Sequence, residues 1–335
     1  MAVLMDSSGT ESALSGLTFE RTVNRRLVHR RALSEVFLTD SVSVDASHFV
    51  AAAQLPPSHA YYTDLPAGSA VDPLLLLECC RQAETHAVHV HHGAPDDTKF
   101  VLQSWSLDLP GLAGAELPPG PAEVAIEVST HDAQWIGGSL RRLGYRMLIH
   151  VAGRHVGEAW MQVQYVAAGV YGTLRGRGRD GQPPTSDDYR RAPAGKPVAP
   201  AKVGRERPEN VILLDPVTGP DGVRARLRVA GGHPSLFDHA QDHVPGMVLM
   251  EAGRQAFLLA SEEFTGVPAA FWSVTGLEAS FTAYAELDEP LEVVVHRTAE
   301  EPGSAGAGLR VTFEQAGRTV AEAAYRGTPG TSVDR

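Results

Sequence analysis

Two stretches of the chain carry the same three polar residues at the same spacing. Residues 71–83 read VDPLLLLECCRQA and residues 244–256 read VPGMVLMEAGRQA. Every residue of the second copy lies 173 positions after its counterpart, so Glu78 answers to Glu251, Arg81 to Arg254 and Gln82 to Gln255 (78 to 251, 81 to 254). A carboxylate within hydrogen-bond reach of a hydroxyl can take its proton. A guanidinium can grip a phosphate through two parallel hydrogen bonds, or orient a carboxylate. Glu, Arg and Gln at i, i+3 and i+4 share one face of a helix. Asp72-Pro73 and Pro245-Gly246 open the two copies as turn signals, and apolar residues fill the remaining faces. Each helix is therefore expected to be largely buried. A buried charged stripe is costly unless its charges are paired or used. The competing reading is an ion pair that only fixes the core.

Further candidates stand just ahead of each helix. A helix start offers free backbone N–H groups and the positive end of the dipole, a place for an oxyanion. Gly246 would let a substrate approach closely, whereas Pro73 offers no N–H, so the two copies are not equivalent. Histidines precede both helices: His59 in SHAYYTD, then His233, His239 and His243 in HPSLFDHAQDH. His59-x-x-Tyr62 aligns loosely with His233-x-x-Leu236. Each such histidine either serves the chemistry or holds the loop by bonding backbone. Glu78, Arg81, Glu251 and Arg254 are thus the catalytic candidates. Gln82, Gln255, His59, His239, His243 and Gly246 are the substrate-binding candidates. His86, His89, His91 and His92 end the first helix without a matching Cys or carboxylate cluster, so no metal is expected.

The elements around these helices repeat as well. Strand patterns cover residues 28–33, 35–44 and 48–55, then the first helix runs over about 72–89. Strand patterns at 99–109, 122–130, 139–151 and 155–166 follow, punctuated by Gly, Pro and Asp. The second half repeats the order, with strands at 210–216 and 223–229, a helix over 246–263, and strands at 271–285, 291–297, 309–315 and 319–325. One long helix wrapped by a curled antiparallel sheet is a hotdog, and two in one chain make an α+β double hotdog. The expected division is a tail over 1–25, a first hotdog over 26–168, a Gly/Pro/Arg-rich linker over 169–208 and a second hotdog over 209–330. The linker's GRGRDG (176–181) matches G-x-G-x-x-G, but no strand precedes it and no helix follows, so it marks no dinucleotide site. Its arginines, Arg175, Arg177, Arg179, Arg190 and Arg191, are expected to be solvated or to form a basic docking patch.

Composition narrows the function classes. The 335 residues suffice for two ordinary domains, and a 43% hydrophobic fraction is that of a globular chain. A net charge of −11 argues against general nucleic-acid binding. No apolar run is long enough to cross a membrane, and no signal peptide is visible at the N-terminus. The only two cysteines, Cys79 and Cys80, are adjacent on the predicted helix and read as small core residues of a cytoplasmic protein.

Two resemblances follow from these motifs. FDHAQDHVPGMVLMEAGRQA resembles the PG-V-L-x-EA-x-x-Q segment of hotdog hydroxyacyl-carrier-protein dehydratases. The chain from about 25 to 330 resembles the A-factor biosynthesis (AfsA) family, which makes γ-butyrolactone signals in actinomycetes. VHRRALSEVFLTD (28–40), DPLLLLECCRQA and DHVPGMVLMEAGRQA carry that resemblance, in the family's order.

The family resemblance implies an acyltransferase. A 3-oxoacyl group would move from acyl carrier protein, or from acyl-CoA, to a hydroxyl of dihydroxyacetone phosphate. The keto-ester phosphate so formed can cyclise to a butenolide. On that reading Arg254 or Arg81 binds the phosphate, and Glu78 is the base or the orienting carboxylate, with Glu251 in the mirrored site. No cofactor is implied, because the phosphopantetheine arm arrives with the substrate; a homodimer stays open. By analogy with the dehydratases, His239 or His243 would face Glu78 and His59 would face Glu251, although fewer residues separate His from Glu here. The alternatives are a hotdog thioesterase or dehydratase, and a non-catalytic acyl- or lactone-binding regulator.

Overall fold

The computed structural model describes residues 7–66, 71–112, 120–179, 181–191, 193–219, 222–297 and 307–330. They fall into two compact units. Unit 1 draws on Met1–Ser58 and Leu75–Leu174, and unit 2 on His59–Leu74 and Arg175–Arg335.

In unit 1, α1 (Ser7–Ser15), β1 (Leu38–Ser43) and β2 (His48–Leu55) precede the long helix α2 (Pro73–Val90). Strands β3 (Lys99–Asp108), β4 (Ala122–Ile136), β5 (Ser139–Val151) and β6 (Arg154–Val166) follow, and α3 (Ala168–Arg175) comes after them. The strands pair antiparallel in the order β1-β2-β4-β5-β6-β3. Unit 2 has β7 (Leu213–Gly219), β8 (Gly222–Leu227) and the long helix α4 (Gly246–Thr265). It then has β9 (Trp272–Phe281), β10 (Leu291–His296), β11 (Ala307–Gln315) and β12 (Arg318–Pro329). Its antiparallel order is β7-β8-β10-β11-β12-β9. Both units therefore permute their strands identically around one long helix, and the chain is the expected α+β double hotdog.

Local chemistry explains the corresponding turns. The β5–β6 and β11–β12 hairpins close through Ala152-Gly153 and Ala316-Gly317, with φ of 48° and 75° in one and 49° and 71° in the other. Two-residue turns with both φ positive follow the right-handed twist of the strands they join. Helix α4 stops at Gly266, whose left-handed φ of 74° turns its N–H back onto Glu262 O.

Three expectations need correction. The segments expected as strands at 28–33 and in the first residues of 35–44 are instead 3-10 turns, Arg25–Val28 and Leu33–Glu35, and β1 begins only at Leu38. The reason lies in Gln82. Its Oε1 accepts the N–H groups of Phe37 and Leu38, and its Nε2 donates to Glu35 O, so a side-chain amide stands where a strand neighbour would be. Gln255 does the same in unit 2, accepting from Ile212 N–H and donating to Asn210 O. There the 3-10 turn Pro208–Asn210 replaces the expected strand start, and β7 begins at Leu213. The expected linker is also folded: residues from Arg175 onward cluster with unit 2, and Val198, Val203 and Arg205 are buried. Proline there sets short 3-10 turns, such as Pro200–Val203, rather than an extended tether. Finally, Arg175 is not solvated. It pairs with Asp242 and Glu286 and lies 4.4 Å from the centre of the Tyr284 ring.

Helix α4 has a glycine, Gly253, where α2 has Cys80. A Cβ on Gly253 would come within 2.5 Å of Tyr325 Oη and 2.7 Å of its ring. That hydroxyl donates to Met250 O at 2.8 Å. Gly253→Ala is expected to cost about 1–3 kcal/mol through overpacking, read as a lower midpoint in urea.

Candidate active sites

The α2 stripe forms the first site. Glu78 is fully buried, and Arg81 holds it bidentately, with Nε to Oε2 at 2.7 Å and Nη2 to Oε1 at 2.8 Å. Arg30 adds Nη2 to Oε1 at 2.6 Å and Nε at 3.1 Å, and Gln82 Nε2 adds a further bond at 2.7 Å. Burial alone would raise the carboxyl's pKa, but Arg30 and Arg81 outweigh it and hold the group down at about 2. Both arginine side chains are part-exposed, 12% for Arg30 and 17% for Arg81.

The α4 stripe forms the second. Arg254 holds Glu251 bidentately at 2.9 Å through Nε and Nη2, and Arg205 Nε donates to Oε1 at 3.0 Å. Gln255 Nε2 completes the set. Here too the cost of burial is overcome by Arg205 and Arg254, which hold Glu251 at about 2. This cluster is sealed: Arg205 is 0% exposed and Arg254 5%. The Arg205 guanidinium lies 4.3 Å from the Tyr61 ring centre and donates to Tyr61 O and Asp64 O.

Arg30 and Arg205 escaped the sequence reading, yet a second repeat carries them. VHRRALSEVFL and VGRERPENVIL share V-x-R and a following V-x-L, at an offset of 175 (30 to 205, 36 to 211). The local structure repeats with it. In each case a 3-10 turn ends in a left-handed residue, His29 at φ 50° and Gly204 at φ 65°, just before the arginine.

The histidines serve their own loops. His59 Nδ1 accepts the N–H groups of Tyr61 and Tyr62, and His233 Nδ1 accepts those of Ser235 and Leu236. The loose alignment of these two loops is thus a shared turn. His233 Nε2 bonds Asn210 Oδ1 at 2.8 Å, and burial holds the ring's pKa down at about 4. In unit 2 Glu251's oxygens accept from Arg205, Arg254 and Gln255. His239 bonds Asp238 and Gln241, and His243 bonds Asp242 at 2.6 Å. At the end of α2, His89 meets His29 Nε2 at 2.9 Å and His91 meets Ser41 Oγ at 2.9 Å. The helix starts differ. Asp72 Oδ1 accepts the Leu74 N–H, while no side chain caps α4, whose first residue is Gly246.

A family model described as the A-factor biosynthesis hotdog domain matches residues 14–167 and 186–330. The chain belongs to this family. A relative from Streptomyces virginiae is 34% identical over 274 residues, covering 80% of this chain and 85% of its own length. One from Streptomyces coelicolor is 32% identical over 319 residues, covering 92% and 93%. Both are named 2-oxo-3-(phosphooxy)propyl 3-oxoalkanoate synthase. Among solved structures, a putative thioesterase from Novosphingobium aromaticivorans aligns with a TM-score of 0.51 at 15% identity, over 87% of this chain and 98% of that one. The dehydratase domain of RzxB from Pseudomonas fluorescens aligns with a TM-score of 0.50, also at 15% identity, over 87% and 98%. At that identity they share the fold with this A-factor family chain. No helix among its described residues is long and apolar enough to cross a membrane.

The paired carboxylates of this A-factor family member carry a pH signature. Both are held near 2 in the folded chain, against 4.5 for an unperturbed Glu. A depressed folded value means stability that is present above about 4.5 and lost as pH falls towards 2. Urea midpoints are expected to drop from pH 5 to pH 3, and less steeply in Glu251→Gln.

Proposed function

We propose that this chain forms a 2-oxo-3-(phosphooxy)propyl 3-oxoalkanoate by acyl transfer. The hydroxyl oxygen of dihydroxyacetone phosphate attacks the carbonyl of a 3-oxoacyl thioester. A C–O bond forms, the C–S bond breaks, and the hydroxyl proton ends on the departing thiol. The thioester is carried by an acyl carrier protein or by coenzyme A, either of which brings its own phosphopantetheine arm. The observation that carries the reading to a site is the Glu78 cluster, which gathers two part-exposed arginine side chains around one buried carboxylate. Guanidiniums suit a phosphate.

The geometry favours the α2 copy over the α4 copy for phosphate binding, because Arg205 and Arg254 are sealed. It favours Glu78 as the orienting carboxylate rather than the base. Its Oε1 already accepts four N–H bonds, and a carboxyl near 2 is a poor proton acceptor at neutral pH. Gln82 supports the same carboxylate. The Glu251, Arg254 and Gln255 set reads as the structural counterpart, and Gly246, with uncapped N–H groups around it, as a donor for the thioester oxygen.

The test is mass spectrometry of the products from purified protein, a 3-oxoacyl thioester and dihydroxyacetone phosphate. The keto-ester phosphate is expected. Free 3-oxo acid alone would make water the acceptor and the protein a thioesterase. Ligand binding without any product would make it a regulator.

A further inference from the structure

A hydroxyl that attacks a thioester must give up its proton, and neither stripe carboxylate is placed to take it. Glu78 and Glu251 each accept N–H bonds from two arginines and a glutamine. Three histidines stand in the loop ahead of α4, and two of them use both ring nitrogens. His233 Nδ1 accepts the N–H groups of Ser235 and Leu236, and its Nε2 meets Asn210. His239 Nδ1 meets Asp238, and its Nε2 meets Gln241. His243 differs. Its Nδ1 lies 2.6 Å from Asp242 Oδ1, and among the described residues its Nε2 makes no hydrogen bond. The side chain is 24% exposed.

The surroundings fix which nitrogen carries the proton. Arg175 Nε donates to Asp242 Oδ2 at 3.1 Å, and its Nη2 donates to Asp242 O at 2.7 Å. A carboxylate paired in this way only accepts, so His243 Nδ1 is the donor of the 2.6 Å bond and Nε2 presents a lone pair. Three consecutive residues between β9 and β10 hold the assembly. The Tyr284 ring lies 5.0 Å from the His243 ring, near edge-on, and 4.4 Å from the Arg175 guanidinium. Ala285 O accepts the Val244 N–H at 2.8 Å. Glu286 grips Arg175 through two bonds, at 2.6 and 2.7 Å. The first copy of the sequence has Ser69 and Ala70 where the second has Asp242 and His243 (69 to 242, 70 to 243). The pair therefore belongs to the second copy, three residues ahead of Gly246.

We propose that His243 is the general base of the acyl transfer, with Asp242 and Arg175 as its positioning residues. The inference rests on the reading of the chain as that acyltransferase, with the thioester oxygen at Gly246. His243 Nε2 takes the proton of the attacking hydroxyl as the C–O bond forms. The imidazolium so made is stabilised by Asp242 across the Nδ1 bond. As the C–S bond breaks, Nε2 returns the proton to the departing sulfur, which leaves as the thiol, and the ring is neutral again. Arg175 keeps Asp242 turned so that Oδ1 faces the histidine, and Glu286 keeps Arg175 in place.

Steady-state kinetics of the full chain with a 3-oxoacyl coenzyme A and dihydroxyacetone phosphate test it. His243→Asn can still donate to Asp242 but cannot take a proton, so kcat should fall by roughly 10²–10⁴-fold while both KM values hold. Asp242→Asn can donate to the ring as well as accept from it, so kcat should fall there too, again with little change in KM. Added imidazoles should restore turnover to His243→Gly, and faster the more basic the imidazole, a trend that a space-filling role would not give. A measurement on the wild-type chain needs no variant to fold: under diethyl pyrocarbonate, loss of activity should track modification of His243, located by peptide mass spectrometry. Undiminished kcat in a folded His243→Asn chain, rescue that ignores base strength, or activity that outlasts full modification of His243 overturns the proposal alone. No keto-ester phosphate from the untreated wild-type chain removes the acyl-transfer reading, and the proposal falls with it.

Discussion

Glu251→Ala is expected to destabilise unit 2 by about 3–5 kcal/mol, the usual cost of removing one partner from a buried ion pair. The substitution leaves two guanidiniums without their carboxylate. Arg205 is 0% exposed and cannot turn to water. Its remaining acceptors are the carbonyls of Tyr61 and Asp64, with Asp72 Oδ2 at 3.7 Å. Glu78→Ala removes an equivalent carboxylate, but Arg30 and Arg81 reach solvent, so its loss should be smaller, on the order of 1–3 kcal/mol. Urea denaturation of both variants decides the matter. Equal losses would show that sealing is not what separates the two clusters.

Arg81→Lys is expected to weaken the phosphate substrate and leave the thioester nearly untouched. A lysine ammonium can neutralise Glu78 but cannot bind that carboxylate bidentately and also reach Thr85 and Val28 O, as Arg81 does. Losing a charge-assisted contact costs about 1.5–3 kcal/mol, or tenfold and more in the substrate constant. Arg254→Lys serves as the comparison. Its effect should fall on stability, because Arg254 is 5% exposed and fully engaged with Glu251. Kinetics with each substrate varied in turn would show it. A phosphate-substrate constant that responds to Arg254→Lys and not to Arg81→Lys would move the site to α4.

The fold was legible because its signals are local or repeated. The constant 173-residue step of the two helices survives in the sequence, and Gly-containing turns bound most strands where they were expected. The carboxylate–guanidinium–amide stripe was legible for the same reason, since i, i+3, i+4 spacing needs nothing beyond one helix. Arg30 and Arg205 were hidden because their repeat runs at 175 rather than 173, the second copy being two residues shorter between arginine and helix. Arg205 was hidden twice over, in a Pro-rich stretch whose composition suggests a tether. The contrast between an open and a sealed cluster was not legible at all. It depends on Tyr61 and Asp64 meeting Arg205 across more than a hundred intervening residues, and no periodicity reports such a contact.

That contact also bears on how the chain acquires its structure. Unit 2 is discontinuous: it begins with His59–Leu74 and resumes only at Arg175. The bond from Arg205 to Tyr61 O closes a loop of 144 residues, and that from Asn210 to Ala60 O one of 150. Loops of that length close late, and contacts at that separation slow folding. A ribosome releasing the chain from its N-terminus therefore cannot finish one unit before starting the next. An early segment must wait, already synthesised, for its arginine. A fragment beginning after α3 would hold Arg205 and Glu251 but neither Tyr61 nor Asp64, leaving a buried cation short of acceptors. The two halves of this sequence look like separable copies, yet only a chain that keeps His59–Leu74 can complete the second one.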